Sequence, residues 1–158
     1  MPVALYPGTF DPVTLGHLDV VRRGLALFER VIVAVGSRAE KGTLFTAEER
    51  VALLREALAG EPRASVEPFP GLVVEFAKDK GAKALLRGLR CVADYEYEQQ
   101  MAQTNRRLAP GIETVFLVPS PQVAIISSTL IKEIQRAGGP IEEFVPKHVA
   151  AALRRKLG

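Results

Sequence analysis

Short apolar runs alternate along the chain with longer stretches in which apolar residues recur every three or four positions. Val3-Ala4-Leu5-Tyr6 is apolar throughout and closes at Pro7-Gly8, which predicts a buried strand. Leu18, Val21, Leu25 and Phe28 are spaced among Asp19, Arg22, Arg23 and Glu29, which predicts an amphipathic helix beginning near Gly16-His17. Val31 to Val35 is continuous and largely β-branched, as expected of a strand with helices on both faces. Thr46, with Glu49 three residues on, forms a capping box before a helix striped by Val51, Leu54 and Leu58. Ala64 to Phe69 reads as a third, weaker strand. Leu72 to Lys80 reads as a helix with Val73, Phe76 and Ala77 inward, ended by Gly81. A fourth strand, Ala84-Leu85-Leu86, leads through Arg87-Gly88-Leu89-Arg90 into a helix from Asp94 to about Leu108, with Tyr95, Met101 and Ala102 among its less polar positions. Thr114 to Val118 is the fifth strand. Ser127-Ser128-Thr129 opens a helix that runs to Gly138-Gly139, and Pro146 to Leu157 closes the chain on Val149, Leu153 and Leu157.

Strand and helix therefore alternate, which predicts an α/β fold: a Rossmann-like, doubly wound sheet of five mainly parallel strands with helices on both faces. At 158 residues, 47% hydrophobic and 25% charged, the chain suits one domain over residues 1–158. No apolar run approaches the roughly 18 residues of a membrane span, and no charged segment followed by an apolar one opens the chain, so a cytoplasmic location is expected. The single cysteine, Cys91, excludes an internal disulfide and is expected to be buried or semi-buried. The net charge of +3 permits nucleic acid as a partner, but the basic residues form no long stripe and none is expected. Arginine outnumbers lysine, and its planar fork suits phosphate groups.

Candidate chemistry gathers just after predicted strands. The first connection, Tyr6-Pro7-Gly8-Thr9-Phe10-Asp11-Pro12-Val13-Thr14-Leu15-Gly16-His17, combines glycines that let backbone approach a ligand with the donors Thr9, Thr14 and His17. The second, Gly36 to Thr43, carries Lys41, but its Lys-Gly-Thr order is not that of a Walker A loop. Arg87 and Arg90 flank Gly88 after the fourth strand, and the hydroxyls of Ser127, Ser128 and Thr129 are helix caps or a second anion site. In a doubly wound sheet these strand ends share one edge, which makes a polyphosphate site. There is no Ser-His-Asp arrangement, no Cys/His metal spacing, no paired carboxylates and no Gly-x-Gly-x-x-Gly. Phosphoryl and nucleotidyl transfer need none of these, since positioning and charge neutralisation carry most of the catalysis.

Three stretches together, Tyr6 to Pro12 joined to Thr14-Leu15-Gly16-His17, Arg87-Gly88-Leu89-Arg90 leading into Asp94 to Glu98, and Ile126-Ser127-Ser128-Thr129, closely resemble the bacterial phosphopantetheine adenylyltransferase family. The Thr-x-Gly-His motif alone marks only the wider nucleotidyltransferase superfamily. The resemblance implies transfer of AMP from ATP to the 4′-phosphate of phosphopantetheine, giving dephospho-CoA, a precursor of CoA, and pyrophosphate. It implies catalytic roles for His17, Lys41 and Arg90, with His17 stabilising charge at the α-phosphate. Thr9, Lys41, Val73 and Arg87 are then acceptor contacts, Val73 through its backbone. Thr9, Phe10, His17, Gly88, Leu89, Arg90, Glu98, Val123, Ala124, Ile125, Ile126, Ser127, Ser128 and Thr129 are ATP contacts. The family uses Mg²⁺ held mainly by phosphates, not by a protein metal site, and forms hexamers. Two positions depart from its pattern: Val123-Ala124-Ile125 lacks the common aromatic, and Thr129 replaces a third serine. The alternatives are a related nucleotidyltransferase with another phosphate acceptor, and a nucleotide sensor without turnover.

Overall fold

A computed structural model describes residues 2–38 and 42–158. In chain order the elements are β1 (Val3–Gly8), α1 (Leu15–Leu27), β2 (Arg30–Gly36), α2 (Ala47–Ala57), β3 (Ala64–Phe69), α3 (Val73–Asp79), β4 (Ala84–Gly88), α4 (Val92–Leu108), β5 (Glu113–Leu117), α5 (Ser128–Arg136) and α6 (Lys147–Leu157). The strands form one sheet in the order β3-β2-β1-β4-β5, and every neighbouring pair is parallel. This is the expected doubly wound α/β architecture.

The register of the sheet creates the site. β1 stays paired with β2 as far as Gly8 opposite Val35, and β4 stays paired with β5 as far as Gly88 opposite Leu117. Between them, the β1–β4 ladder holds only Ala4 opposite Ala84 and Leu5 opposite Leu85. Past that point the two central strands part, at the place where the strand order reverses. A crevice at such a switch point is where open parallel sheets take their ligands.

Alternation along the strands sorts two cores. Ala4, Tyr6, Val31, Val33, Val35, Ala84 and Leu86 pack on one side against Leu18, Val21 and Leu25 of α1, Leu54 of α2, Ile131 of α5 and Leu153 of α6. Leu5, Ile32, Ala34 and Leu85 face the other side, where Val74 and Ala77 of α3 meet Ala109 and Ile112. Gly24 brings α1 close to the sheet: a Cβ there would lie 2.5 Å from Leu86 Cδ1 and 3.1 Å from Val31 Cγ2. The expected capping box of Thr46 with Glu49 is present, and a second, Thr14 with His17, opens α1.

Several local expectations need correction. Strands β1 and β4 continue through Pro7-Gly8 and Arg87-Gly88, because parallel neighbours on their outer sides keep those residues paired. On α3, Val73 and Phe76 are partly buried against the core as expected, and Val74, which the pattern left out, is fully buried beside Ala77. On α4 the buried residue is Glu98, while Tyr95 and Met101 are exposed. Cys91 is exposed at the N-cap of α4.

Candidate active site

The Thr14-Leu15-Gly16-His17 spacing is a helix start first. Thr14 is the N-cap of α1; its Oγ1 accepts the His17 amide at 3.3 Å, and its own amide donates to His17 Nδ1 at 3.0 Å. Histidine thus fills the place that Glu or Gln takes in an ordinary capping box. Because Nδ1 accepts a backbone N–H, the neutral ring carries its proton on Nε2. Burial, with Arg90 and then Arg87 nearby, lowers the His17 pKa to about 3, so the ring is neutral at physiological pH and Nε2–H is its free donor. Gly16 lies close under the 120–126 segment. A Cβ there would sit 3.3 Å from the Val123 carbonyl oxygen, so glycine lets the 120–126 segment close over the helix start.

Phe10 has φ +52, left-handed backbone that costs a side-chain-bearing residue about 1–3 kcal/mol. Its ring is buried, edge-on to Tyr6 and His17 with centroids 5.3 and 4.9 Å apart. A Cβ on Gly8 would meet that ring at 3.0 Å. Aromatic packing therefore holds the bend that presents Thr9. Burial also raises the Tyr6 hydroxyl well above its ordinary value, partly offset by Arg87 and Arg90, so it stays protonated.

Two arginines close the crevice. Arg87 bridges the diverging strands: Nη1 donates to Pro7 O at 2.7 Å, while Nε and Nη2 grip Glu98 at 2.9 and 2.6 Å. A guanidinium has five N–H donors, so two remain for a ligand. Arg90 Nη1 donates to Ile126 O at 2.8 Å, and its Nε lies 3.4 Å from Asp94 Oδ2. The three hydroxyls opening α5 divide their work. Ser127 Oγ caps Leu130 N–H at 3.1 Å, Ser128 Oγ donates to Pro12 O at 2.8 Å, and Thr129 stands on the cavity wall.

The cavity enclosed by these elements measures about 470 Å³. It collects Thr9, Phe10, His17, Arg87, Gly88, Arg90, Glu98, Val123 and Ile126 to Thr129 on its walls. Leu89, Ala124 and Ile125 do not line it; the Leu89 amide is spent on Leu117 O, and Ile125 points to solvent. Val73 lies in a second cavity of about 360 Å³, which shares Pro7 to Thr9, Arg87 and Glu98 with the first. Lys41 lies outside the described residues.

Sequence reading passed over Lys132, Asp11 and Arg50. Lys132 lines the large cavity and pairs with the buried Asp11 at 2.8 Å. Its signal was its place one helical turn beyond Ser128 and Thr129. Arg50 is buried behind Thr9 and signals nothing in the sequence beyond an unremarkable helix.

A switch-point crevice lined by a neutral histidine at a helix start, two arginines, a lysine and a hydroxyl-bearing second helix start defines a nucleotidyltransferase. In agreement, residues 5–134 match the cytidylyltransferase-like family model. Curated relatives narrow the class. The chain is 47% identical over 157 residues to the phosphopantetheine adenylyltransferase of Geotalea daltonii, covering 99% of this chain and 98% of that one. It is 53% identical over 156 residues to that of an Acidovorax species, covering 99% and 94%. It is 49% identical over 157 residues to that of Caldanaerobacter subterraneus, covering 99% and 98%. The chain belongs to the phosphopantetheine adenylyltransferase family.

Proposed function

We propose that the two joined cavities carry out the family reaction on ATP and 4′-phosphopantetheine. An oxygen of the acceptor phosphate attacks the α-phosphorus of ATP in line. The new P–O bond forms as the bond to the bridging oxygen breaks, and pyrophosphate leaves with that electron pair. The products are dephospho-CoA and pyrophosphate. A phosphate monoester has its second pKa near 6, so the acceptor is largely dianionic at neutral pH and no base is needed. The barrier is the approach of one anion to another, and the site answers it with donors and fixed charge.

The observation that carries this reading is the neutral His17 with Nδ1 committed to the helix cap and Nε2–H free. It is a donor for charge developing at the α-phosphate, not a proton acceptor. Arg90 and Thr129 line the same cavity and serve the remaining phosphates, with Ser127 and Ser128 at the α5 start. Arg87 and Thr9 sit where the cavities meet, which suits the acceptor phosphate. The second cavity, reaching Val73, Met101 and Asn105, takes the pantetheine arm. Lys41 joins the acceptor set on the family resemblance alone.

A divalent ion accompanies ATP in this chemistry, and we assign Mg²⁺. The cavity carboxylates Asp11, Asp94 and Glu98 each face a cation, Lys132, Arg90 and Arg87 respectively. No group of three His, Cys, Asp or Glu side chains among the described residues is placed for a metal. That donor set fits an ion held by phosphates and water, and when bound it supplies further neutralisation of phosphate charge. Exposed Val92, Tyr95 and Tyr97 on α4 supply apolar surface for the homohexamer of the family. No helix among the described residues is long and apolar enough to cross a membrane.

The test is His17→Ala assayed by pyrophosphate release beside equilibrium ATP binding. Loss of one transition-state donor lowers kcat by about a hundredfold or more, on the order of 3 kcal/mol, while ATP affinity changes far less. Unchanged turnover contradicts the role given to His17.

A further inference from the structure

The phosphate-facing groups stand on separate elements, and a buried polar set at the cavity wall ties the loops between them together. The Asp11 carboxylate accepts Leu44 N–H at 2.8 Å and Phe45 N–H at 2.9 Å, and Lys132 Nζ at 2.8 Å. Arg50 closes the other side, donating to Thr9 O at 2.7 Å, Gly36 O at 3.1 Å and Phe45 O at 3.3 Å. The segment from Gly42 to Phe45 is thereby held at two amides and one carbonyl. Gly42, Thr43 and Lys132 all face the large cavity.

We propose that Asp11 is a positioning residue for the triphosphate half of the site, fixing the Gly42–Phe45 segment and the Lys132 ammonium relative to His17. This rests on the adenylyl-transfer reading. All three partners of Asp11 are donors, so the position needs an acceptor-only side chain. Burial works against its charge, but the bonds from Lys132, Leu44 and Phe45 outweigh that and hold its pKa below the ordinary carboxylate value. An asparagine of the same size turns an NH₂ toward one of those donors. It keeps the shape and breaks the tie.

The experiment measures binding of ATP and of adenosine, turnover, and hydrogen exchange at the Leu44 and Phe45 amides, in wild type, Asp11→Asn, Lys132→Gln and the double variant. Losing a charge-assisted tie is expected to weaken ATP binding about tenfold or more in Asp11→Asn, with adenosine binding held within about twofold. Exchange at Leu44 and Phe45 speeds up, and the double variant is no worse than Asp11→Asn within about threefold. ATP binding and turnover at wild-type levels, or an equal loss for ATP and adenosine, overturns the proposal; so does a double loss that is the product of the single ones. If Asp11→Asn does not fold, Lys132→Gln decides: ATP affinity lost without adenosine affinity upholds the proposal, and wild-type ATP affinity overturns it. A wild type that binds ATP but never releases pyrophosphate defeats the adenylyl-transfer reading instead, while the contrast between ATP and adenosine still scores Asp11.

Discussion

The two nitrogens of His17 do different work, and the division follows from one backbone hydrogen bond. Thr14 N–H occupies Nδ1, so the proton of the neutral ring belongs on Nε2. Burial and the neighbouring Arg90 and Arg87 bring the pKa from 6.5 to about 3. On acidification the unfolded chain therefore takes up a proton near pH 6.5 that the folded ring refuses. Folding stability contributed by this site is full above that pH and declines as pH falls toward 3. We expect the imidazole ¹⁵N signals of His17 to report the Nε2–H tautomer throughout pH 8 to about 5. A protonation midpoint near the ordinary histidine value contradicts the assignment. The sequence announced His17 because its partner is three residues away. It was silent on Asp11, Arg50 and Lys132, whose contacts span 33, 41 and 121 positions. No local pattern carries a pairing over such distances.

Among the elements, β1 and β4 matter most, because their early separation opens the crevice that Arg87 then spans. Apolar run length located both strands but not where their pairing stops, since that depends on neighbours distant in sequence. Helix starts were easier to read: Thr46 and Ser127 cap as their residue types suggest, while Thr14, read as a ligand donor, proves to be the N-cap of α1. The long α4 was located by its pattern, but nothing local marked Glu98 as its buried residue, because the Arg87 that it pairs with lies on another element. Helix α1 gives a test of packing. Alanine favours a helix over glycine by about 1 kcal/mol, so an exposed Gly24→Ala change would stabilise. Here the new methyl meets Leu86, itself fully buried, and Val31, and overpacking costs about 1–3 kcal/mol. Urea denaturation should show net destabilisation of Gly24→Ala; a gain in stability contradicts the close approach of α1 to the sheet.

At the scale of the whole molecule, alternation of strand and helix was enough to foresee the doubly wound sheet, and the sheet places every strand end of interest on one edge. The family resemblance implies a homohexamer, and the apolar surface left on α4, including Val92 at 89% exposed and Tyr97 at 62%, is available for its contacts; analytical ultracentrifugation is the measurement that checks it. A monomer at micromolar concentration contradicts that expectation. What the fold does not decide is the acceptor, because one crevice of this kind serves many phosphate nucleophiles. In the proposed reaction the second cavity, lined by residues of β4, α3 and α4, makes that choice. The most direct measurement is pyrophosphate release from ATP and Mg²⁺ with a panel of acceptors: 4′-phosphopantetheine, nicotinate mononucleotide and glycerol phosphate. Release with 4′-phosphopantetheine alone, with one dephospho-CoA formed per pyrophosphate, is the predicted result. Faster release with either other acceptor, or ATP binding without release from any, contradicts the account.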